Sequence, residues 1–212
     1  MIELGTLSLF LVAVLSLFLS PGPNMAFVLS HGIALGPRAG FAAGLGIAAA
    51  DLVHTLCAAT GVTALVAAWP PSFDLLRYAG ALYLLWLAWQ ALRSGGASVP
   101  AHAERSGFAR VVRRAWLNNL VNPKALLFFV VFLPQFVDPA RGGVPAQLAV
   151  LGVTLSLAGL GFNTALGACS GMIGRSLQRR RDAAGFQRGL LATVMICLAL
   201  RLLLIDRPSK GF

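Results

Sequence analysis

The stretch LGTLSLFLVAVLSLFLSPGPNMAFVLS, residues 4–30, contains no charged residue and is interrupted by SPGPN at positions 20–24. A membrane-spanning helix needs about 20 mostly apolar residues, so this stretch is long enough to cross a bilayer. Pro21 and Pro23 lack amide hydrogens and clash with the preceding turn, whereas Gly22 tolerates unusual dihedral angles. The sequence therefore predicts a membrane helix broken at these prolines, with a simple proline kink as the alternative.

The composition of the whole chain agrees with a lipid environment. Of the 212 residues, 58% are hydrophobic and 11% are charged, whereas soluble proteins carry about 25% charged residues. The mean hydropathy is +0.79. These values exclude a soluble enzyme, a secreted disulfide scaffold and a disordered chain. The chain also lacks nucleotide-binding and metal-ligand motifs, so we expect no cofactor and no metal.

Six stretches have the length and composition of membrane helices. They are residues 4–30, 39–69, 72–92, 115–137, 145–173 and 186–205. The segments between them are rich in glycine, proline and charged residues, as turns and loops are. We therefore predict an all-α integral membrane protein with six transmembrane helices in one domain, residues 1–212.

The two halves of the chain share a feature. The first helix of each half contains a proline-based break, at Pro21-Gly22-Pro23 and at Asn122-Pro123. Paired interruptions in corresponding helices are typical of inverted-repeat transporters. Because each half has an odd number of helices, three, the second half would cross the membrane in the opposite direction to the first. The predicted organisation is repeat one at about 1–92, a cytoplasmic loop at about 93–114, and repeat two at about 115–212.

The basic residues predict the orientation. The formal net charge is +10, from 17 Lys and Arg against 7 Asp and Glu, and arginines are concentrated in residues 93–114 and 174–188. The positive-inside rule places these two loops in the cytoplasm and both termini on the outer, periplasmic side. An excess of this kind on a soluble chain would suggest nucleic acid. In a membrane protein it sets orientation, so we expect no nucleic-acid partner.

Asp51 is the most informative single residue. It lies in the middle of a predicted membrane helix, where a charge costs about 2.5–3.5 kcal/mol on insertion scales. His54 follows three residues later and shares its helix face. A carboxylate near a histidine can bind an ammonium group or exchange a proton. The structural alternative is that Asp51 only forms a hydrogen bond to a neighbouring helix.

Polar groups also accompany the two breaks. The first break, which ends at Asn24, would expose helix carbonyls and helix amides that suit an ammonium and a carboxylate. In the second break, Asn122 is a predicted N-cap and Pro123 a first helical residue. Lys124 would either extend to the cytoplasm or face an anionic group. Asn163, in the fifth predicted helix, would serve either helix packing or substrate contact.

Three segments resemble the lysine exporter (LysE/RhtB) family of amino-acid exporters. They are LSPGPNM at residues 19–25, the glycine-rich run at 39–51, and NLVNPKALLFF at 119–129 followed by FLPQF at 132–136. The resemblance covers nearly the whole chain. It implies a bacterial inner-membrane protein that expels amino acids or close derivatives by proton antiport. The positions that match the family are Pro21, Gly22, Pro23, Asn24, Asp51, Asn122, Pro123 and Lys124.

The expected function is therefore a secondary active exporter, not an enzyme, with an amino acid and a proton as partners within the lipid bilayer. A zwitterion would bind between the broken helices, its ammonium towards Asp51 and its carboxylate towards a half-helix N-terminus. With no second buried carboxylate, neutral amino acids are favoured. One alternative is a non-transporting membrane scaffold or accessory subunit; another is an exporter of a different small solute such as a cation. The small-residue stripes are compatible with a homo-oligomer.

Overall fold

The computed structural model describes residues 3–20, 22–69, 71–93 and 107–177, together with positions 189, 192–193, 196–197, 199–200 and 203. Within these residues all regular structure is helical, as predicted. The helices are α1 (Leu4–Leu19), α2 (Pro23–Leu35), α3 (Pro37–Cys57), α4 (Thr63–Ala68), α5 (Ser72–Arg93), α6 (Phe108–Leu120), α7 (Pro123–Leu127) and α8 (Val144–Leu177).

Short irregular helical segments connect some of these elements. A π-helical segment, Ala58–Val62, joins α3 to α4. Another, Phe128–Phe132, continues α7 and is followed by a 3-10 turn at Leu133–Phe136. A second 3-10 turn, Pro139–Arg141, precedes α8. The segment after Pro123 is therefore helical but not uniformly α-helical.

Two helices are long and apolar enough to cross a membrane, Pro37–Gly61 with 25 residues and Val144–Ser170 with 27 residues. Two bent pairs of helices are also long and apolar enough, if each pair is counted as one span. Gly5–Leu19 and Pro23–Leu35 meet at 60°, and Phe108–Leu120 and Pro123–Phe136 meet at 55°. The described part of the chain thus contains two to four candidate spans, and the bends fall at the predicted breaks. Pro21 itself lies outside the described residues.

The other predicted spans are placed less completely. The third corresponds to α5, which is a helix of 22 residues, but Asp74 and Arg77 lower its hydropathy and it is not among the candidate spans. The sixth, residues 186–205, lies largely outside the described residues, as do residues 94–106 and 178–188 of the predicted loops. The arrangement of six helices as two inverted repeats therefore stays a prediction.

Two predicted loop boundaries differ from the helices in the structure. Helix α6 begins at Phe108, within the predicted loop at 93–114 and before the predicted span at 115. Helix α8 extends to Leu177, beyond the predicted end at 173. The predictions followed hydropathy, but a helix can continue into polar surroundings because its hydrogen bonds are internal. In α6 the apolar residue Val111 is buried while Arg110 and Arg113 are exposed.

Helix α3 lies against α6 and α8, and glycines allow the close approach. A Cβ atom at Gly40 would collide with the backbone of Gly167 on α8. A Cβ atom at Gly46 would collide with the backbone of Val112 on α6. Ser156 of α8 donates a hydrogen bond of 2.9 Å to the carbonyl of Ala48. The small side chains of α3 therefore bring Asp51 close to two neighbouring helices.

We predict that the contact between Gly40 and Gly167 limits stability. A Cβ atom at Gly167 would lie 2.5 Å from the Cα atom of Gly40, whereas a Cβ atom at Gly161 of the same helix meets nothing within 4 Å. Gly167→Ala should therefore lower the free energy of unfolding by about 1–3 kcal/mol relative to Gly161→Ala. Thermal denaturation of the two purified variants in detergent measures the difference, and equal midpoints would contradict this packing.

Candidate functional site

The two helix breaks line one cavity of about 60 Å³. Seven of the ten predicted site residues contribute to its wall: Gly22, Pro23, Asn24, Asp51, Asn122, Lys124 and Asn163. His54 and Pro123 are not part of the wall, and Pro21 lies outside the described residues. The structure therefore brings most of the polar groups singled out in the sequence to one place, although they are distributed over more than 140 positions of the chain.

The first break separates the end of α1 from the start of α2. Ser20 follows α1 with extended dihedral angles, φ −72° and ψ 122°. Gly22 is also extended, and Pro23 occupies the first turn of α2, where its missing amide hydrogen is tolerated. Among the described residues, no side chain caps the N-terminus of α2. The positive end of this helix dipole therefore lies at the cavity wall formed by Gly22, Pro23, Asn24 and Met25.

The second break has the N-cap that the sequence predicts. The Oδ1 atom of Asn122 accepts a hydrogen bond of 3.1 Å from the backbone amide of Lys124, and Pro123 occupies the first turn of α7. The Lys124 side chain then crosses to the first break. Its Nζ atom donates hydrogen bonds to the carbonyls of Leu17 at 3.0 Å and Ser20 at 2.8 Å. The contacts of Nζ are therefore with the end of α1.

Asn119 connects the broken helices to α3. It is fully buried, and its Nδ2 atom donates to the carbonyl of Ile47 at 3.0 Å and to Oδ1 of Asp51 at 2.8 Å. Its Oδ1 atom accepts a bond of 2.7 Å from Nδ2 of Asn24. Asn118 in turn donates to Oδ1 of Asn24 at 3.0 Å. The amides of Asn118, Asn24 and Asn119 thus form a chain of hydrogen bonds that ends at Asp51.

The sequence-based site did not include Asn118 and Asn119. In the sequence, Asn122 and Lys124 provide clearer helix-start chemistry. The available signal was two adjacent asparagines in the last turn before a proline break. Neighbouring asparagines in an apolar helix require hydrogen-bond partners, since an unsatisfied amide in a bilayer is costly.

Asp51 combines the two arrangements that the sequence left open. It is 4% exposed and accepts a hydrogen bond from Asn119 on a neighbouring helix through Oδ1. It also lines the cavity. Among the described residues, no hydrogen bond reaches its second carboxylate oxygen, Oδ2. One oxygen of Asp51 is therefore held by the protein, and the other is available to a group inside the cavity.

His54 lies on the same side of α3 as Asp51 but behind the cavity wall. Its Nε2 atom is 3.2 Å from the carbonyl of Asn119, so this nitrogen carries a hydrogen, which it donates. The ring also lies 5.4 Å from the ring of Phe129. His54 therefore helps to position Asn119 and does not itself line the cavity.

Asn163 differs from Asn119 in its surroundings. It is 6% exposed, lies against Gly44 of α3 and lines the cavity. The described part of the chain offers its side-chain amide no hydrogen-bond partner. The remaining wall is apolar and includes Phe18 and Phe162, whose rings stack at 5.3 Å. The cavity therefore presents a carboxyl group, a lysine amine, an amide and an apolar surface.

Comparison with known proteins assigns this arrangement to a family of transporters. The family model described as LysE type translocator matches residues 15–205. A leucine efflux protein of Enterobacter sp. (strain 638) is 32% identical over 206 residues, which are 94% of this chain and 97% of that protein. A leucine efflux protein of Klebsiella pneumoniae is 32% identical over 94% of this chain and 96% of its own length.

A third relative carries no functional name. An uncharacterised membrane protein of Pseudomonas aeruginosa is 39% identical over 155 residues, which are 70% of this chain and 71% of that protein. No solved structure matches the chain. The resemblance stated from the three sequence segments is thus confirmed at the level of the family.

We predict that Asn119 stabilises the site more than its neighbour Asn118. Asn119→Ala would leave the buried Oδ1 atom of Asp51 without its partner, which costs about 1–3 kcal/mol. It would also remove the hydrogen bond from the half-buried Asn24. Asn118→Ala removes one hydrogen bond from a half-buried residue. Thermal denaturation should therefore give a clearly lower midpoint for Asn119→Ala. A larger loss in Asn118→Ala would show that Asn119 is not the centre of the network.

Proposed function

This chain belongs to the LysE type translocator family, and from that premise we propose that it is a secondary active exporter of amino acids that works by proton antiport. The family consists of transporters and not of enzymes. The multi-pass membrane assignment follows from the family and from the apolar helices. What remains to be proposed is the substrate, the mode of binding, the coupling ion and the orientation.

The observation that supports amino-acid binding is a pair of opposite charges in one small cavity. Asp51 and Lys124 both line it, yet no ion pair joins these two described residues. An amino acid carries the complementary charges on adjacent groups. Its ammonium would bind the free oxygen of Asp51. Its carboxylate would bind the ammonium of Lys124 and the N-terminus of α2.

The cavity wall favours a neutral, aliphatic side chain. Phe18, Phe162, Leu155 and Ile47 provide apolar surface, and no second carboxylate lines the described wall to hold a dicationic substrate. The relatives named leucine efflux proteins support leucine and similar amino acids. The volume of about 60 Å³ holds about four to six water molecules. A leucine molecule therefore requires the surrounding helices to move apart.

Asp51 also suits proton coupling. Because a proton and a substrate ammonium would bind the same carboxylate oxygen, one displaces the other, which is the requirement for antiport. One proton returning down about 100 mV supplies about 2.3 kcal/mol, enough for a substrate gradient of about 40-fold. Asn119 would hold the other oxygen in place during this exchange.

We further propose the bacterial inner membrane as the location, with both termini periplasmic and residues 93–114 and 174–188 cytoplasmic. Two contacts support this orientation. Arg141 forms a salt bridge of 3.2 Å with Glu3, so the start of α1 and the loop before α8 lie on the same side. Arg38 lies 5.8 Å from the ring centre of Phe108, which pairs the start of α3 with the start of α6.

We expect Asp51→Asn to reduce amino-acid export by about tenfold or more, since it removes the negative charge that would bind the ammonium. The substitution keeps an oxygen that can accept the Asn119 hydrogen bond. Export is measured as the release of leucine from cells loaded with a leucine-containing dipeptide. Asp138→Asn is the matched control, because Asp138 lies in an exposed loop beside Arg141. Undiminished export by a normally expressed Asp51→Asn protein would remove Asp51 from the mechanism.

Asn163→Ala should raise the KM for leucine about tenfold while leaving thermal stability unchanged, because its amide binds substrate and not another helix. Ser156→Ala is the contrasting variant. Its hydroxyl bonds to the carbonyl of Ala48, so its loss should lower stability and leave KM unchanged. Transport into inside-out membrane vesicles gives KM, and thermal denaturation gives stability. The reverse pattern would assign Asn163 to helix packing.

A further inference from the structure

The last turn of α1 lacks one backbone donor. The carbonyl of Leu17 would normally accept a hydrogen bond from the amide four residues later, but that residue is Pro21, which has no amide hydrogen. Lipid cannot supply the missing donor. The ammonium of Lys124 supplies it and also donates to the carbonyl of Ser20, at 3.0 and 2.8 Å.

We propose that Lys124 is a latch that ties α1 to α7 when no substrate is bound, and that a substrate carboxylate releases it. The release step rests on the proposed export of amino acids. The contact between α1 and α7 rests only on the Lys124 hydrogen bonds and on the missing amide hydrogen of Pro21. The latch joins the two breaks directly, because Lys124 follows the second break and its acceptors precede the first.

The charges explain why a carboxylate would open the latch. The carbonyl end of a helix carries only about half of a negative charge. Asp51, the carboxylate that lines the same cavity, is already held by Asn119 and forms no ion pair with Lys124 in the described structure. A substrate carboxylate brings a full negative charge and therefore competes with the two carbonyls for the ammonium.

This latch selects substrates by their carboxylate. An amino acid offers the group that attracts Lys124, whereas the corresponding amide offers only a neutral oxygen. Leucine should therefore loosen the contact between α1 and α7, and leucinamide should not. Lys124 would act as a specificity-determining residue in addition to holding the break closed.

The test measures how accessible the cavity is. Leu155 lines it and is 2% exposed, so Leu155→Cys provides a buried reporter in a protein whose Cys57, Cys169 and Cys197 are replaced by alanine. A small polar thiol reagent is applied to the purified protein in detergent without substrate. Lys124→Met keeps much of the side-chain length but removes the donors, and it should raise the labelling rate about tenfold. Lys124→Arg keeps a charged donor and should label slowly.

A second uncharged variant makes the result specific. Lys124→Gln removes the charge with less change in polarity and should also label quickly, which preserves the test if Lys124→Met does not fold. Slow labelling in both uncharged variants would overturn the latch.

Adding leucine or leucinamide distinguishes a failure of the latch from a failure of the proposed function. Leucine should accelerate labelling of the reporter that retains Lys124, and leucinamide should not. If neither compound has an effect while Lys124→Met labels quickly, the tie is supported and leucine is overturned as the releasing substrate. If both compounds accelerate labelling equally, carboxylate release is overturned.

Discussion

The architecture depends on what prolines do to a helix that lies in lipid. Pro21 and Pro23 remove amide donors within an apolar stretch, and Pro123 begins a new helix within another. Since lipid supplies no hydrogen-bond partners, the backbone groups at these ends require partners from the protein or from a water-filled cavity. Lys124 supplies donors to one end, and Asn122 caps another. The breaks therefore have to lie next to each other, and polar side chains have to converge on them.

In the proposed function, that convergence creates a site for a zwitterion. Asn119 orients Asp51, Asn24 and the backbone of α3 through its amide, which leaves one Asp51 oxygen for a ligand. Lys124 is held by partial charges and not by a carboxylate. An anion and a cation that do not neutralise each other can bind a molecule carrying both charges. The same hydrogen bonds that stabilise the breaks thus support a transport function.

Much of the site could be predicted from local chemistry, and the rest depends on packing. Proline breaks, a buried Asp51 and the Asn122 N-cap follow from residue type and from position in an apolar run. The central role of Asn119 does not, because it depends on which helix faces α6. The target of Lys124 also required the structure, since Leu17 and Lys124 are 107 residues apart. His54 lies on the same helix face as Asp51, but the packing of the helices leaves it outside the cavity wall.

The most direct measurement of the central claim is leucine flux through the purified protein. Proteoliposomes loaded with labelled leucine and subjected to a pH gradient should release it faster than protein-free liposomes, and collapse of the gradient should slow the release. Release no faster than from protein-free liposomes, by a correctly folded protein, would contradict the account. It would leave a non-transporting scaffold and an exporter of another small solute as the alternatives.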